Sequence, residues 1–373
     1  MSNFEYYIYL DSKILGTARQ ITVYFEQGIF SPKDTLILIK KYKHKSAKRI
    51  ADIFTASCLN FRFISMGDLD NLKQGILFYP FNAQSNVRAV ANRKLTHVFI
   101  THGESSKISS VKPIIRIYDY VITAGQAGID RFIAHGIFTQ HDIKLGKFIK
   151  MGDTFIGKTG LNTLGHGKPC LFYAPTWEGG IEQENYSSLD NILLVAYTLR
   201  ELASQYRTNE VVIRPHPNTG HRLKNYRQKL LALIRYLSAN GLEPAVFTKN
   251  FTASWLENLQ FKRYNVKKLT DLSSYTARFA LCDISAIETQ LLNENIPYHL
   301  YWDQTKHPNA FVDATIYENT RFVQKEQRFI TLTAEQIDDM KFKHYLIDEK
   351  INTITLSQRI TILLHKIYGG TIL

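Results

Sequence analysis

Cysteine is scarce: the 373 residues hold three, Cys58, Cys170 and Cys282. They are odd in number, far apart and without C-x-x-C spacing, which excludes a disulfide framework and a cysteine-based metal site. Each stands in or beside an apolar run and is expected as a buried free thiol. Long apolar runs are missing too. No window approaches the ~18 uninterrupted apolar residues that a spanning helix needs. The start, MSNFEYYIYLDSK, lacks a basic segment followed by an apolar stretch, so no signal peptide is expected. The expected location is cytoplasmic, with attachment to the inner face of the cell membrane left open. Internal repeats and low-complexity tracts are absent as well.

What is present is a globular composition with a strong positive balance. The chain is 45% hydrophobic and carries a formal charge of +13. The first figure suits two buried cores and excludes disorder. The second implies an acidic partner, and nucleic acid, anionic lipid and phosphorylated substrates all qualify. Nucleic acid is the poorest of these, since no nucleic-acid module or basic-aromatic interleaving accompanies the charge. The densest basic run, Lys40–Arg49, can touch anionic lipid or a phosphate-rich acceptor, or form a solvated loop and helix start.

Short β-branched and aromatic runs alternate with amphipathic stretches. Strands are expected at Tyr6–Leu10, Thr35–Ile39, Phe61–Ser65, Gly75–Phe81, Thr96–Thr101 and Tyr118–Thr123, with helices such as Ser46–Ala56 and Asn86–Arg93 between them. Continuous apolar strands separated by helices indicate parallel sheets covered on both faces. The pattern breaks at the Gly-rich stretch 157–169, read as a linker or mobile loop. It resumes with strands Cys170–Ala174, Val211–Arg214, Ala245–Thr248, Phe279–Cys282 and Tyr298–Trp302. A last helix carries Leu356, Ile360, Leu363, Leu364 and Ile367 on one face and stops at Gly369-Gly370. The expected fold class is α/β with two Rossmann-like domains: residues 1–156, a linker over 157–169, residues 170–350, and a C-terminal helix over 351–373. Such sheets bind ligands at the carboxyl ends of their strands, so the active site is expected in a cleft between the domains.

Four loops that leave these strands can carry chemistry. After the strand at 96–101 comes His102-Gly103-Glu104, with Lys107 just beyond. A histidine held there can act as a general base, or simply satisfy backbone groups. The strand Val211–Arg214 runs into Arg214-Pro-His216-Pro217, where an arginine, an imidazole and a helix start near Thr219-Gly220 make a phosphate site. At Asp283-Ile-Ser285-Ala286, helix amides can hold a diphosphate and Glu288 can accept from ribose hydroxyls; an ordinary N-cap is the plain alternative. The segment 172–180 leaves its strand through Pro175 and places Thr176 and Trp177 at the lip. Trp177 can pack on a base or close the core.

In this order, histidine-glycine, YAPTW, RPHP and D-x-S resemble the CDP-glycerol glycerophosphotransferase family of teichoic-acid and capsule synthesis, over roughly residues 95–303. The resemblance implies a GT-B fold, with two Rossmann-like domains facing each other across a cleft. It also implies transfer of glycerol-phosphate from CDP-glycerol to a glycan or glycolipid hydroxyl. With so many fixed donors and no carboxylate cluster suited to magnesium, no metal or other cofactor is expected. Carried over, His102 is the base, His216 the catalytic phosphate partner, and Asp283 and Ser285 bind the donor. Arg214, Thr176, Trp177, Ala286 and Glu288 then fall on the donor side, and Gly103, Glu104 and Lys107 on the acceptor side. The short chain is expected to be primase-like. Three departures stand out: Thr101 where the family has tryptophan, Glu178 where it has a basic residue, and Ile284-Ser285-Ala286 in place of Tyr-Ser-Ser. A GT-B enzyme using a nucleotide-sugar is the main alternative, and a non-catalytic module binding acidic glycan or lipid a lesser one.

Overall fold

The computed structural model describes residues 5–42, 45–101, 103–249, 251–312 and 327–369. These form two compact units. The first comprises residues up to Glu104, then Val111–Ile156, and finally His344 onward. The second comprises Ser105–Ser110 and Gly157–Lys343.

The first unit holds seven strands: β1 (Tyr6–Leu10), β2 (Thr35–Lys40), β3 (Phe61–Ile64), β4 (Ile76–Tyr79), β5 (Thr96–Phe99), β6 (Tyr120–Thr123) and β7 (Phe148–Lys150). They pair in parallel in the order β3-β2-β1-β4-β5-β6-β7. Alternation along β1 explains why its whole run is apolar. Ile8 and Leu10 enter one core, with helices Leu15–Glu26, Lys45–Ala56 and Leu356–Tyr368, while Tyr9 enters the core on the other face. Both faces are therefore covered, as parallel pairing requires. The C-terminal helix belongs to this unit through Ile360, Leu363 and Ile367. It ends at Gly369, whose φ of 65° is the left-handed C-cap that glycine adopts without strain.

The second unit repeats the plan with β8 (Lys168–Ala174), β9 (Glu210–Ile213), β10 (Glu243–Phe247), β11 (Lys267–Leu269), β12 (Tyr275–Asp283), β13 (Tyr298–Asp303) and β14 (Gln327–Leu332). The order is β11-β10-β9-β8-β12-β13-β14, parallel except for the antiparallel pair β13–β14. Helices Ile192–Gln205 and Asn225–Ala239 supply Leu199, Leu230, Leu233 and Leu237 to its core. Three short or edge strands, β7, β11 and β14, go beyond the strands expected from the sequence.

Several expectations need correction. The stretch after Gly157 is not a free linker: the Thr159 backbone N–H and hydroxyl both bond the Glu294 carboxylate, the former at 3.0 Å. Cys170 and Cys282 are buried, but Cys58 is exposed. It occupies a left-handed turn with φ 53° after helix Lys45–Ala56, where the chain reverses toward β3 at the surface. In the basic run, Lys40 is paired with Asp11 at 2.8 Å, and Lys43 and His44 lie outside the described residues. No helix among the described residues is long and apolar enough to cross a membrane.

Candidate functional site

Strand order in the second unit reverses between β8 and β12, the place where doubly wound sheets open a crevice. Register brings three strand ends level, because Tyr173 lies beside Ile213 and Ala174 beside Cys282. The loops after β9, β8 and β12 are the RPHP, APTW and D-x-S segments, so motifs spread over 110 residues leave one sheet edge side by side.

Hydrogen bonds and ring contacts join them. The Thr176 backbone N–H donates to Asp283 Oδ2 at 2.6 Å. The Trp177 ring stacks on His216, with centroids 5.7 Å apart and planes at 15°, and His221 meets it edge-on at 6.5 Å. Trp177 is half-buried and closes the lip between two loops. His216 is held by the Asn218 N–H, which donates to Nδ1 at 3.1 Å. Thr176 is fixed from below by Ser187, whose hydroxyl donates to the Thr176 carbonyl at 2.8 Å.

The side chains differ sharply in what they can reach. Asp283, expected to bind the donor directly, is fully buried and turned onto the Thr176 amide. Through that bond it braces the YAPTW loop. Burial pushes its carboxyl up to about 7, against bonds from Ser188 and the Thr176 amide and the charge of Lys107. The Ser285 hydroxyl accepts from Ile287 N–H at 3.4 Å and caps its own helix, Ala286–Asn293. Glu288 is buried at 3% exposure, so its expected role toward ribose hydroxyls lacks an accessible carboxylate. Arg214 donates to the Thr159 carbonyl at 2.9 Å and lies over the Phe247 ring, and burial lowers its pKa to about 10 against the charge of Glu294. It holds the segment after Gly157.

The helix expected near Thr219-Gly220 begins only at Asn225. The Gly220, Arg222 and Leu223 amides are taken by Glu178, one of the three departures from the resembled pattern. It is fully buried, and its carboxylate accepts from Gly220 N–H at 3.0 Å, Arg222 N–H at 2.8 Å and Leu223 N–H at 2.9 Å. A carboxylate of the chain itself thus fills the amide cluster that an external anion would use. Arg222 is spent on the Glu178 and Gly179 carbonyls and on Glu182. Gly179 has φ 71°, and a Cβ there would stand 2.5 Å from the Glu184 carbonyl oxygen, so only glycine fits that turn.

Lys107, expected beside Gly103 and Glu104 on the acceptor side, belongs to the second unit. Its ammonium donates to Thr176 Oγ1 at 2.6 Å and lies 5.7 Å from the Tyr186 ring centre. Tyr186 stacks on His307 at 3.7 Å, and its hydroxyl accepts from Ile108 N–H at 3.0 Å, which pins this segment. Burial lowers the Lys107 pKa to about 8, while the Asp283 and Glu184 charges oppose the shift.

In the first unit, His102 lies outside the described residues, but its neighbours do not. Thr101 has φ 58° and Gly103 φ 134°, so the backbone is left-handed on both sides of the histidine. A small cleft there is lined by Thr101, Gly103, Glu104, Thr123, Gly152 and Phe155. Glu104 is buried, pairs with Arg131 at 2.6 Å and accepts from Ala124 N–H at 3.1 Å. Among the described residues no three His, Cys, Asp or Glu side chains gather as metal ligands.

The Asp283 shift has a thermodynamic consequence. An unfolded aspartate titrates near ~3.9, so between that pH and about 7 the folded chain retains a proton that the unfolded chain has lost. Stability contributed by this group is present below pH ~4 and is lost as pH rises through about 7. Replacing Asp283 by Asn is expected to remove that slope, so that the variant gains on the native protein by a few kcal/mol across this window. Urea unfolding at pH 5 and pH 8 measures it; parallel losses in both proteins would refute the assignment.

No protein-family model matches the sequence, and no curated protein matches it. Among solved structures the chain is similar to a putative UDP-N-acetylglucosamine 2-epimerase from Listeria monocytogenes, with a TM-score of 0.51 at 10% identity over 100% of this chain and 98% of that one. An S. aureus MnaA–UDP co-structure gives 0.48 at 9% identity, covering 98% and 97%. A glycosyltransferase from Rickettsia africae ESF-5 gives 0.43 at 9% identity, covering 100% of both. The first likeness, with the two seven-stranded sheets, defines the fold as α/β of the GT-B class.

Proposed function

We propose that the chain is a GT-B transferase that takes a group from a nucleotide-diphosphate donor. Its specific form is transfer of glycerol-phosphate from CDP-glycerol to a hydroxyl of a glycan or glycolipid. The observation that supports it is the convergence of Thr176-Trp177, His216 and the Ser285-capped helix at the switch point of one sheet, with Lys107 bonded to Thr176. The acceptor oxygen attacks the β-phosphorus, the bond to the bridging oxygen breaks, and CMP leaves with that electron pair. His102 takes the hydroxyl proton. Lys107 and His216 meet the charge on the phosphates. Arg214, turned onto Thr159, holds the loop base in this scheme.

A second reading, transfer of a sugar from a nucleotide-sugar, draws on Glu178. Where the resembled family has a basic residue, this chain commits a buried carboxylate to backbone amides, so one cation fewer faces a phosphorus under attack. Offering CDP-glycerol, CMP-sugars and UDP-sugars with and without glycan acceptors separates the two. CMP release from CDP-glycerol supports the first reading and nucleotide release from a sugar donor the second. Silence toward every donor, with no nucleotide binding, would remove both. Within either reading, Lys107→Met is expected to weaken CDP or UDP binding at least ~10-fold, about 1.4 kcal/mol, and to leave the nucleoside unaffected. His216→Ala is expected to weaken the nucleotide and abolish turnover. Calorimetry on folded variants measures both losses, and unchanged affinities would contradict them.

A further inference from the structure

Helix Trp255–Arg263 carries an exposed apolar row on the face where a surface helix ordinarily places polar residues. Its inner row is Glu257 and Phe261, both buried. The outer row, at i and i+4, is Trp255 and Leu259, with Leu256 beside it and Arg263 at i+8. These apolar side chains are 72%, 46% and 66% exposed for Trp255, Leu259 and Leu256 respectively. Trp255 is the most exposed aromatic among the large hydrophobics at the surface. The exposure does not come from a loose helix. Ser254 and Glu257 close a capping box. Arg227 pairs with Glu257 at 2.6 Å and also donates to the Thr252 and Thr219 carbonyls, so the helix is clamped to the loop that follows Pro217.

We infer that this helix docks the protein on an anionic lipid bilayer. Charge identifies the surface it fits. Glu257, the acidic residue of the helix, is buried in its pairing, while Lys262 and Arg263 are exposed at the last turn of the outer face. Lys268 is exposed on the next strand, within a chain of net charge +13. Tryptophan belongs at the headgroup level, leucines just beneath it and lysine or arginine against anionic headgroups. Size argues the same way. Three apolar side chains fall short of the ~800 Å² per partner of a stable protein contact, whereas peripheral binding needs only modest apolar insertion reinforced by charge. This helix belongs to the second unit and Lys40, Lys45, Lys48 and Arg49 to the first.

The full chain should co-sediment with vesicles of equimolar phosphatidylcholine and phosphatidylglycerol and bind weakly to phosphatidylcholine alone. Of the three tryptophans in the sequence, Trp302 is buried and Trp177 stacked. A blue shift of the emission on vesicle addition therefore reports Trp255. Replacing Trp255, Leu256 and Leu259 together by serine should cut binding at least ~10-fold and abolish the shift, with the melting temperature and nucleotide binding retained. Lys262→Gln and Arg263→Gln should each cost roughly fivefold at low salt. Three results would overturn the inference. The native chain could ignore anionic vesicles. Binding could survive the serine variant and vanish when Lys40, Lys45, Lys48 and Arg49 become glutamine. Or the native chain could be a dimer without vesicle affinity that the serine variant splits, which would give the face to a second copy.

Discussion

Replacing Glu178 by alanine is expected to lower the stability of the second unit by about 3–5 kcal/mol. The wild-type carboxylate accepts from three backbone N–H groups, on Gly220, Arg222 and Leu223, and is itself fully buried. Each buried donor left without an acceptor costs ~1–3 kcal/mol, and water entering the vacated space recovers part of the sum. Glu178→Gln separates charge from shape. Its amide oxygen can still serve Arg222 and Leu223, but its NH₂ then faces the Gly220 N–H donor to donor, for a loss of about 1–3 kcal/mol. Because His216 starts the same loop and Trp177 immediately precedes Glu178, nucleotide affinity should fall together with stability. Denaturant unfolding followed through tryptophan fluorescence measures the first effect and calorimetry the second. An alanine variant within ~1 kcal/mol of the native protein would show that the amide cluster finds other partners.

This carboxylate also marks where the sequence stops being legible. The fold was readable because parallel strands buried on both faces have to be apolar throughout, and runs such as Ile8-Tyr9-Leu10 leave no other use for themselves. The β7 and β11 strands were not readable, since three residues such as Phe148–Lys150 or Lys267–Leu269 carry no period. The C-terminal helix was recognisable from its apolar row, but nothing local says that it packs on the first unit. At the site, the motif loops could be picked out because proline, histidine and tryptophan at strand ends serve no ordinary packing need. What those residues do once folded was another matter. Asp283 answers to an amide 107 positions away and Glu178 to amides 42 to 45 positions away. Lys107 answers to a hydroxyl 69 positions away. Such partners are set by strand order, and no local pattern encodes them. Hence a residue expected to bind the donor also braces the YAPTW loop, and one read as a departure from the resembled family holds the loop after RPHP in place.

In the proposed reaction His102 takes the proton of the attacking hydroxyl, and both of its chain neighbours are left-handed. Thr101 adopts φ 58°, a left-handed conformation that costs a β-branched residue roughly 1–2 kcal/mol. It is held there by its own hydroxyl, which donates to the Gly103 carbonyl at 2.8 Å, and by Tyr24, whose hydroxyl donates to the Thr101 carbonyl at 3.1 Å. Tyr24 is locked edge-on against Phe155 at 5.5 Å in the core. Strain so over-determined clusters at functional positions. Glu104, the next acidic group along the chain, is committed to Arg131 and the Ala124 amide, which leaves the histidine as the base of this loop. His102→Ala is therefore expected to cut turnover by roughly 10²–10⁴-fold, the worth of a positioned general base, and to leave CDP or UDP affinity unchanged. The acidic limb of the native pH–rate profile, set by the base that must be deprotonated to act, should vanish with it. Thr101→Gly removes the left-handed strain at Thr101 itself, so stability should move by less than about 1 kcal/mol. Near-native turnover in folded His102→Ala would remove the role. A parallel loss of nucleotide affinity would move the histidine to the donor, and the proton would then need a different acceptor.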